Sequence, residues 1–251
     1  MKRMIVFVVS FMLLSFPAYA DIIPEEVYTE HLERISFYTE SDIDTVAQEV
    51  IDTCEKNQEI LAWWYEWEQA GSGTTWTVRY EWRPTTKLLY GFGVVSNSDL
   101  IMQQKADDIL HDIVRQEMSD YQKIYEIYHW IQDNTEYDLA VYKRYMDGEI
   151  IDRRDASQSA GSVFFDGRAV CAGYADAFYY LANLAGVDCI WVHGGDHGWN
   201  AVKLNGSWYF IDVTDESGRG FLRGTAWAAA NGYDWSECWL PVDVSEKDYA
   251  F

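Results

Sequence analysis

Residues 197–214, HGWNAVKLNGSWYFIDVT, constrain the fold more than any other stretch of this chain. Asn-Gly between two apolar, aromatic runs is the strongest short-range hairpin signal, because the favoured two-residue turn needs positive φ at both central positions. A turn at Asn205-Gly206 sets Leu204 opposite Ser207, Val202 opposite Tyr209 and Trp199 opposite Asp212. Side chains alternate faces along a strand, so His197, Trp199, Ala201 and Lys203 share one face with Trp208, Phe210, Asp212 and Thr214. His197 is then the diagonal neighbour of Asp212, at a backbone distance of about 7–8 Å that long side chains can close. A one-residue slip would send the two to opposite faces. A carboxylate on an aromatic strand face is costly to bury without a partner, and an aspartate beside an imidazole fixes its tautomer and orientation. The register thus selects a His–Asp pair over two ordinary polar residues at strand ends.

A second segment, DGRAVCAGYADAFYYLANLAG at 166–186, supplies a nucleophile to go with that pair. Asp166-Gly167 reads as a turn. The residues after Cys171 are helix formers, and Gly186 is a stop signal. Cys171 therefore falls at a helix N-terminus, where unpaired N–H groups and the positive dipole end favour a thiolate. Read alone, the segment fits a cysteine packed under a turn equally well. The other cysteines are Cys54, Cys189 and Cys238. No Cys-x-x-Cys pair exists, which excludes the usual zinc spacing. With Cys171 kept reactive, at most one disulfide could form among the remaining three.

The flanking sequence reads as follows. Residues 1–20 carry Lys2 and Arg3, an apolar run from Ile5 to Phe16, and Ala18-Tyr19-Ala20. That is the pattern of a signal peptide cleaved near Ala20, giving a secreted, periplasmic or cell-surface protein with no membrane span after removal. Residues 21–100 read as a small α+β unit. It has a strand at Ile35–Tyr38, a helix at Ser41–Glu55, and aromatic strands at Ile60–Trp67 and Thr74–Trp82 joined by Gly71-Ser72-Gly73. Residues 101–251 read as the catalytic domain. Helices are expected at Ile101–Met118 and from a Ser119–Gln122 capping box to about Asn134, with Ile124, Ile127, Tyr128 and Ile131 as a buried stripe. A formal charge of −22 argues against nucleic acid, since phosphate binding needs clustered Lys and Arg. No acidic cluster has calcium-loop spacing, so neither a metal nor another cofactor is expected.

Three motifs in order resemble the transglutaminase-like superfamily of cysteine enzymes. They are Cys171-Ala172-Gly173-Tyr174-Ala175, His197-Gly198-Trp199-Asn200, and Trp208 to Thr214 with Asp212 and Thr214 in place. The resemblance implies Cys171 as nucleophile, His197 as base and Asp212 as orienting carboxylate. It also implies an α+β, papain-like core, with a cysteine-bearing helix packed on an antiparallel sheet. The stretch Tyr121–Asp138 resembles the helix preceding the core in bacterial members. The chain departs from the common pattern at Gly198, where members often carry alanine, and at Asp215, where many bacterial members carry tryptophan.

The Cys171 backbone N–H is an expected oxyanion donor, with Gln158 as a candidate second donor. Trp199 and Tyr174 are candidate substrate contacts, although Trp199 also suits packing on the sheet. His193, in a segment read as loop, is a rival base. His129 lies beside a helix stripe and reads as structural; His31 and His111 have no identifiable partners in sequence. The expected reaction is acyl transfer on peptide or glutamine carboxamide bonds through a thioester, with hydrolysis ahead of cross-linking. The expected partners are a protein or peptide substrate and an amine acceptor. The competing class is a non-catalytic extracellular module that binds peptide or glycan through its aromatics, 16% of the chain.

Overall fold

A computed structural model of the chain describes residues 26–250. The proposed signal peptide, residues 1–20, and its cleavage site lie outside the described residues. The chain forms two compact units. One takes in the described part of Met1–Cys54 with Trp63–Tyr80; the other takes in Glu55–Ala62 and Glu81–Phe251.

The first unit begins with a short helix α1 (Glu26–Thr29) and strand β1 (Arg34–Thr39), followed by α2 (Ile43–Glu55). Asp42 caps α2, its Oδ1 accepting the Thr45 N–H at 2.9 Å. Strands β2 (Ile60–Ala70) and β3 (Gly73–Trp82) complete an antiparallel sheet of order β1-β3-β2, in which Arg34 pairs with Arg79 and Thr39 with Thr74. Val46, Val50 and Cys54 of α2 are fully buried, as are Trp76 and Val78 of β3.

The second unit is built around one buried helix. Its elements are α3 (Pro84–Tyr90), α4 (Asn97–Ile113), α5 (Asp120–Asn134), β4 (Glu136–Tyr137), α6 (Leu139–Met146), β5 (Arg168–Ala169), α7 (Cys171–Leu184), β6 (Cys189–Gly194), β7 (His197–Leu204), β8 (Ser207–Ile211) and α8 (Thr225–Ala230). The α5 stripe is buried at Ile124, Ile127, Tyr128 and Ile131, and the Ser119–Gln122 capping box is formed. Helix α4 starts earlier than the expected Ile101, because Ser96 and Asp99 make a second capping box. It stops at Ile113, after which Val114 turns extended.

Strands β6, β7 and β8 form an antiparallel sheet in that order. The β7–β8 register is the one that a two-residue Asn205-Gly206 turn dictates, with Leu204 opposite Ser207 and Val202 opposite Tyr209. Period-two alternation divides the sheet cleanly. Cys189, Trp191, Val202, Leu204 and Ile211 join α7 in the main core, whereas Val192, Trp199, Ala201 and Phe210 pack with Ala228 on the opposite face. Much of the aromatic content is therefore core material.

Two residues lock α7 in place. Asn200 is fully buried on β7 and its Nδ2 donates to the Ala175 carbonyl at 3.1 Å, tying strand to helix. Gly173 lies so close to the turn at Ala156–Gln158 that a Cβ there would fall 2.5 Å from the Ser157 carbonyl oxygen and 2.7 Å from Ala169 Cβ. This close approach explains the glycine of the Cys-x-Gly motif. Gly173→Ala is expected to destabilise the fold by about 1–3 kcal/mol through overpacking, measurable as a lowered urea midpoint.

Candidate active site

Cys171 is the first residue of α7, as expected. The preceding Val170 offers no side-chain cap, and the first turn carries no acidic residue. The leading N–H groups lack intrahelical acceptors by position and favour negative charge on the sulfur. The thiol is not in a disulfide, and neither are Cys189 and Cys238. Its Sγ lies 3.9 Å from the Asp196 carbonyl oxygen. Burial pushes the thiol up, but the nearby His197 ring, the Gly198 N–H and the Tyr137 hydroxyl outweigh it and hold the thiol below its ordinary value.

His197 opens β7, and Asp212 follows the last residue of β8. The two side chains meet, with His197 Nε2 at 2.7 Å from Asp212 Oδ2. That contact leaves Nδ1 for the thiol. Burial would lower the imidazole, but the bonds to Asp212 and Cys171 prevail and raise it to about 10. Asp212 is buried, which raises its carboxyl. His197, Thr214 and Tyr233 more than offset this and hold it below the usual range. The Thr214 N–H and hydroxyl donate to Oδ1 at 2.9 and 2.6 Å, and the Tyr233 hydroxyl donates to Oδ2 at 2.7 Å. The result is a hydrogen-bonded row, His197–Asp212–Tyr233, with the Cys171 thiol held low by the neighbouring imidazole. Such a row can support a thiolate–imidazolium pair with a fixed counter-charge.

Gln158 and His193 line the same cavity as Cys171, and Trp199 stacks on the His197 ring at 5.6 Å, but each is engaged by its own surroundings. The Gln158 amide donates to the carbonyls of Ile151 and Asp152 at 3.3 and 3.1 Å, so it is engaged by its own loop. Trp199 is buried in the core on the far face of the sheet, edge-on to Tyr233 at 5.1 Å. Tyr174 is also buried, its hydroxyl donating to the Thr135 carbonyl at 2.8 Å. Both side chains are buried in packing, and neither lines the cavity over Cys171. His193 is not in a loop: it pairs with Gly198 across β6 and β7, and its Nε2 lies 2.9 Å from the Lys56 carbonyl oxygen. At Gly198 an added Cβ would meet only ordinary contacts, the nearest at 3.5 Å, so the alanine common at this position would fit.

Tyr137 and Tyr233 were not singled out in the sequence. Tyr137 lines the same cavity as Cys171 because β4 pairs in parallel with β5, the strand that leads into α7. Burial, then the charge of Cys171, raises its hydroxyl. A cavity of about 650 Å³ opens over Tyr137, Cys171 and His197, within the range that binds small ligands and peptide side chains.

Residues 107–245 match the model of the transglutaminase-like superfamily. The chain belongs to this superfamily. Its members are generally cysteine enzymes and include peptidases and acyltransferases. Over 137 residues the chain is 28% identical to the kyphoscoliosis peptidase of Homo sapiens, covering 48% of this chain and 20% of that protein. Over 139 residues it is 27% identical to the kyphoscoliosis peptidase of Mus musculus, covering 49% and 20%. The chain thus spans only a minor part of these relatives' length. A solved structure described as that of a TGase aligns with a TM-score of 0.45 at 12% identity, covering 80% of this chain and 56% of the other. No helix among the described residues is long and apolar enough to cross a membrane.

Proposed function

We infer that this protein is a cysteine-dependent acyl-transfer enzyme acting on peptide or glutamine carboxamide bonds. Cys171 is the nucleophile, His197 the acid–base and Asp212 the orienting carboxylate. One observation carries this reading: Cys171 and His197 line one cavity, and His197 is hydrogen-bonded to a buried Asp212.

The Cys171 thiolate attacks the carbonyl carbon. As sulfur becomes covalent it loses its charge and its claim on the Tyr137 hydroxyl. Negative charge grows on the carbonyl oxygen, where the Cys171 N–H at the helix start and the Tyr137 hydroxyl stabilise it. Tyr137, rather than Gln158, thus serves as the second oxyanion donor. His197 gives its Nδ1 proton to the departing amine, and a thioester remains. Neutral His197 then takes a proton from water, the hydroxide adds to the thioester, and the acid leaves as the thiolate re-forms. A primary amine in place of water would give a new amide. Hydrolysis is the preferred outcome, supported by the peptidase names of the curated relatives. The apolar run before Ala18-Tyr19-Ala20 supports work outside the cytoplasm.

Mass spectrometry of a mixture of the enzyme, a glutamine-containing peptide and a primary amine tests the reading. Backbone cuts that need Cys171 are the expected result. Amine adducts would shift the assignment to cross-linking, and an unchanged peptide across a diverse set would contradict catalysis. Tyr137→Phe is expected to lower kcat about 10²- to 10³-fold, the usual cost of one oxyanion donor, with little change in KM.

A further inference from the structure

Helix α6 poses a packing problem. It has eight residues and none of them is buried. So short a helix is marginal in water by itself. Asp138 holds its start, Oδ1 accepting the N–H groups of Ala140 and Val141 at 3.0 Å. Val141, Tyr142, Tyr145 and Met146 occupy one face at positions i, i+1, i+4 and i+5, and all four line the Cys171 cavity. Ile150, from the loop that follows, lines it too. Tyr142 is 41% exposed, Tyr145 43%, Met146 61% and Ile150 93%. A contiguous apolar patch of this kind inside a concavity marks a binding surface.

The patch has a direction. The Tyr142 ring sits 6.0 Å from the Tyr137 ring, so the wall continues into Tyr137, which lines the cavity together with Cys171. His197 comes from the other side, on the β6–β7–β8 sheet. The departing amine must lie against His197, which protonates it. The acyl portion therefore runs the opposite way, past Tyr137 and along α6. The charged groups near this wall are engaged: Glu149 is ion-paired with Arg144, and Arg153 donates to the carbonyls of Asn57 and Ile60.

We propose that the α6 wall is the acyl-side specificity pocket, selecting peptides with a bulky apolar or aromatic side chain on the acyl side of the attacked carbonyl. This rests on Cys171 being the nucleophile. Dipeptidyl chloromethyl ketones test it without needing turnover, because the thiolate displaces chloride and the adduct is read by intact mass. Reagents carrying Phe, Leu, Ala or Asp at each of the two acyl-side positions are compared, with iodoacetamide as the side-chain-free control. At one position Phe or Leu is expected to react at least about tenfold faster than Ala, and Asp slower still. Tyr145→Ala and Met146→Ser, both on an unburied helix, are each expected to bring the Phe/Ala ratio toward one. Equal rates for all reagents, with fast iodoacetamide labelling, would overturn the pocket and leave the nucleophile standing. So would a Phe preference that survives both substitutions. Slow iodoacetamide labelling that ignores His197→Ala would overturn the nucleophile, and the pocket with it.

Discussion

Cys171→Ala is expected to abolish peptide turnover, with a loss on the order of 10⁶-fold, as when a nucleophile that works with a base is removed. The fold should survive, because the thiol sits at the rim of the cavity rather than inside the core. The substitution has a second readout. Cys171 is one of the groups that raise His197, so the imidazole should titrate lower in the variant than in the wild type. Imidazole NMR of both proteins measures this. An unchanged titration, with lost turnover, would show that sulfur and ring do not share a proton.

Asp212→Ala is expected to lower kcat/KM about 10³- to 10⁴-fold, since the imidazole loses both its orientation and the counter-charge for its protonated form. The same change strips an acceptor from the Tyr233 hydroxyl and from the Thr214 N–H and hydroxyl. Groups left buried without partners cost about 1–3 kcal/mol each, so a lower melting temperature should accompany the loss of activity. Tyr233→Phe removes a single donor and separates the two effects. It should cost activity modestly while leaving the Asp212–His197 contact in place.

The most readable parts of the chain were those governed by local rules. Asn205-Gly206 allows one turn, and the turn allows one register; everything about the His197–Asp212 meeting follows from counting residues. The Ser119–Gln122 box and the Gly186 stop also act within a few residues of themselves. A second hairpin, Gly194-Gly195-Asp196-His197, carried a comparable Gly-Asp signal, and Gly195 has φ 57°. Reading that segment as loop is why His193 seemed unpaired, when it lies in β6 opposite Gly198. Tyr137 and Tyr233 were illegible for another reason. Tyr137 comes into the Cys171 cavity through a parallel pairing of two-residue strands that sets Glu136 opposite Arg168 and Tyr137 opposite Ala169, and Tyr233 reaches Asp212 across a separation of 21. Nothing local in either tyrosine's neighbourhood signals a long-range partner. Trp199 and Tyr174 were drawn toward substrate because they sit inside the motifs. Their burial shows that motif residues beside reacting groups also serve to fix the elements that carry those groups.

The proposed mechanism needs a thiolate held by its imidazolium neighbour, and the lowered thiol and raised imidazole both favour that pair. The thiolate exists above the lowered pKa of Cys171, and the imidazolium persists until about 10. The rate of Cys171 alkylation by iodoacetamide, followed against pH in the wild type and in His197→Ala, measures this directly. The expected wild-type rate is already on its plateau near neutrality and falls only on the acid side, whereas His197→Ala should gain reactivity only near pH 8.5, where an ordinary thiol ionises, at about that value. Superimposable curves, both rising only toward that alkaline range, would contradict it.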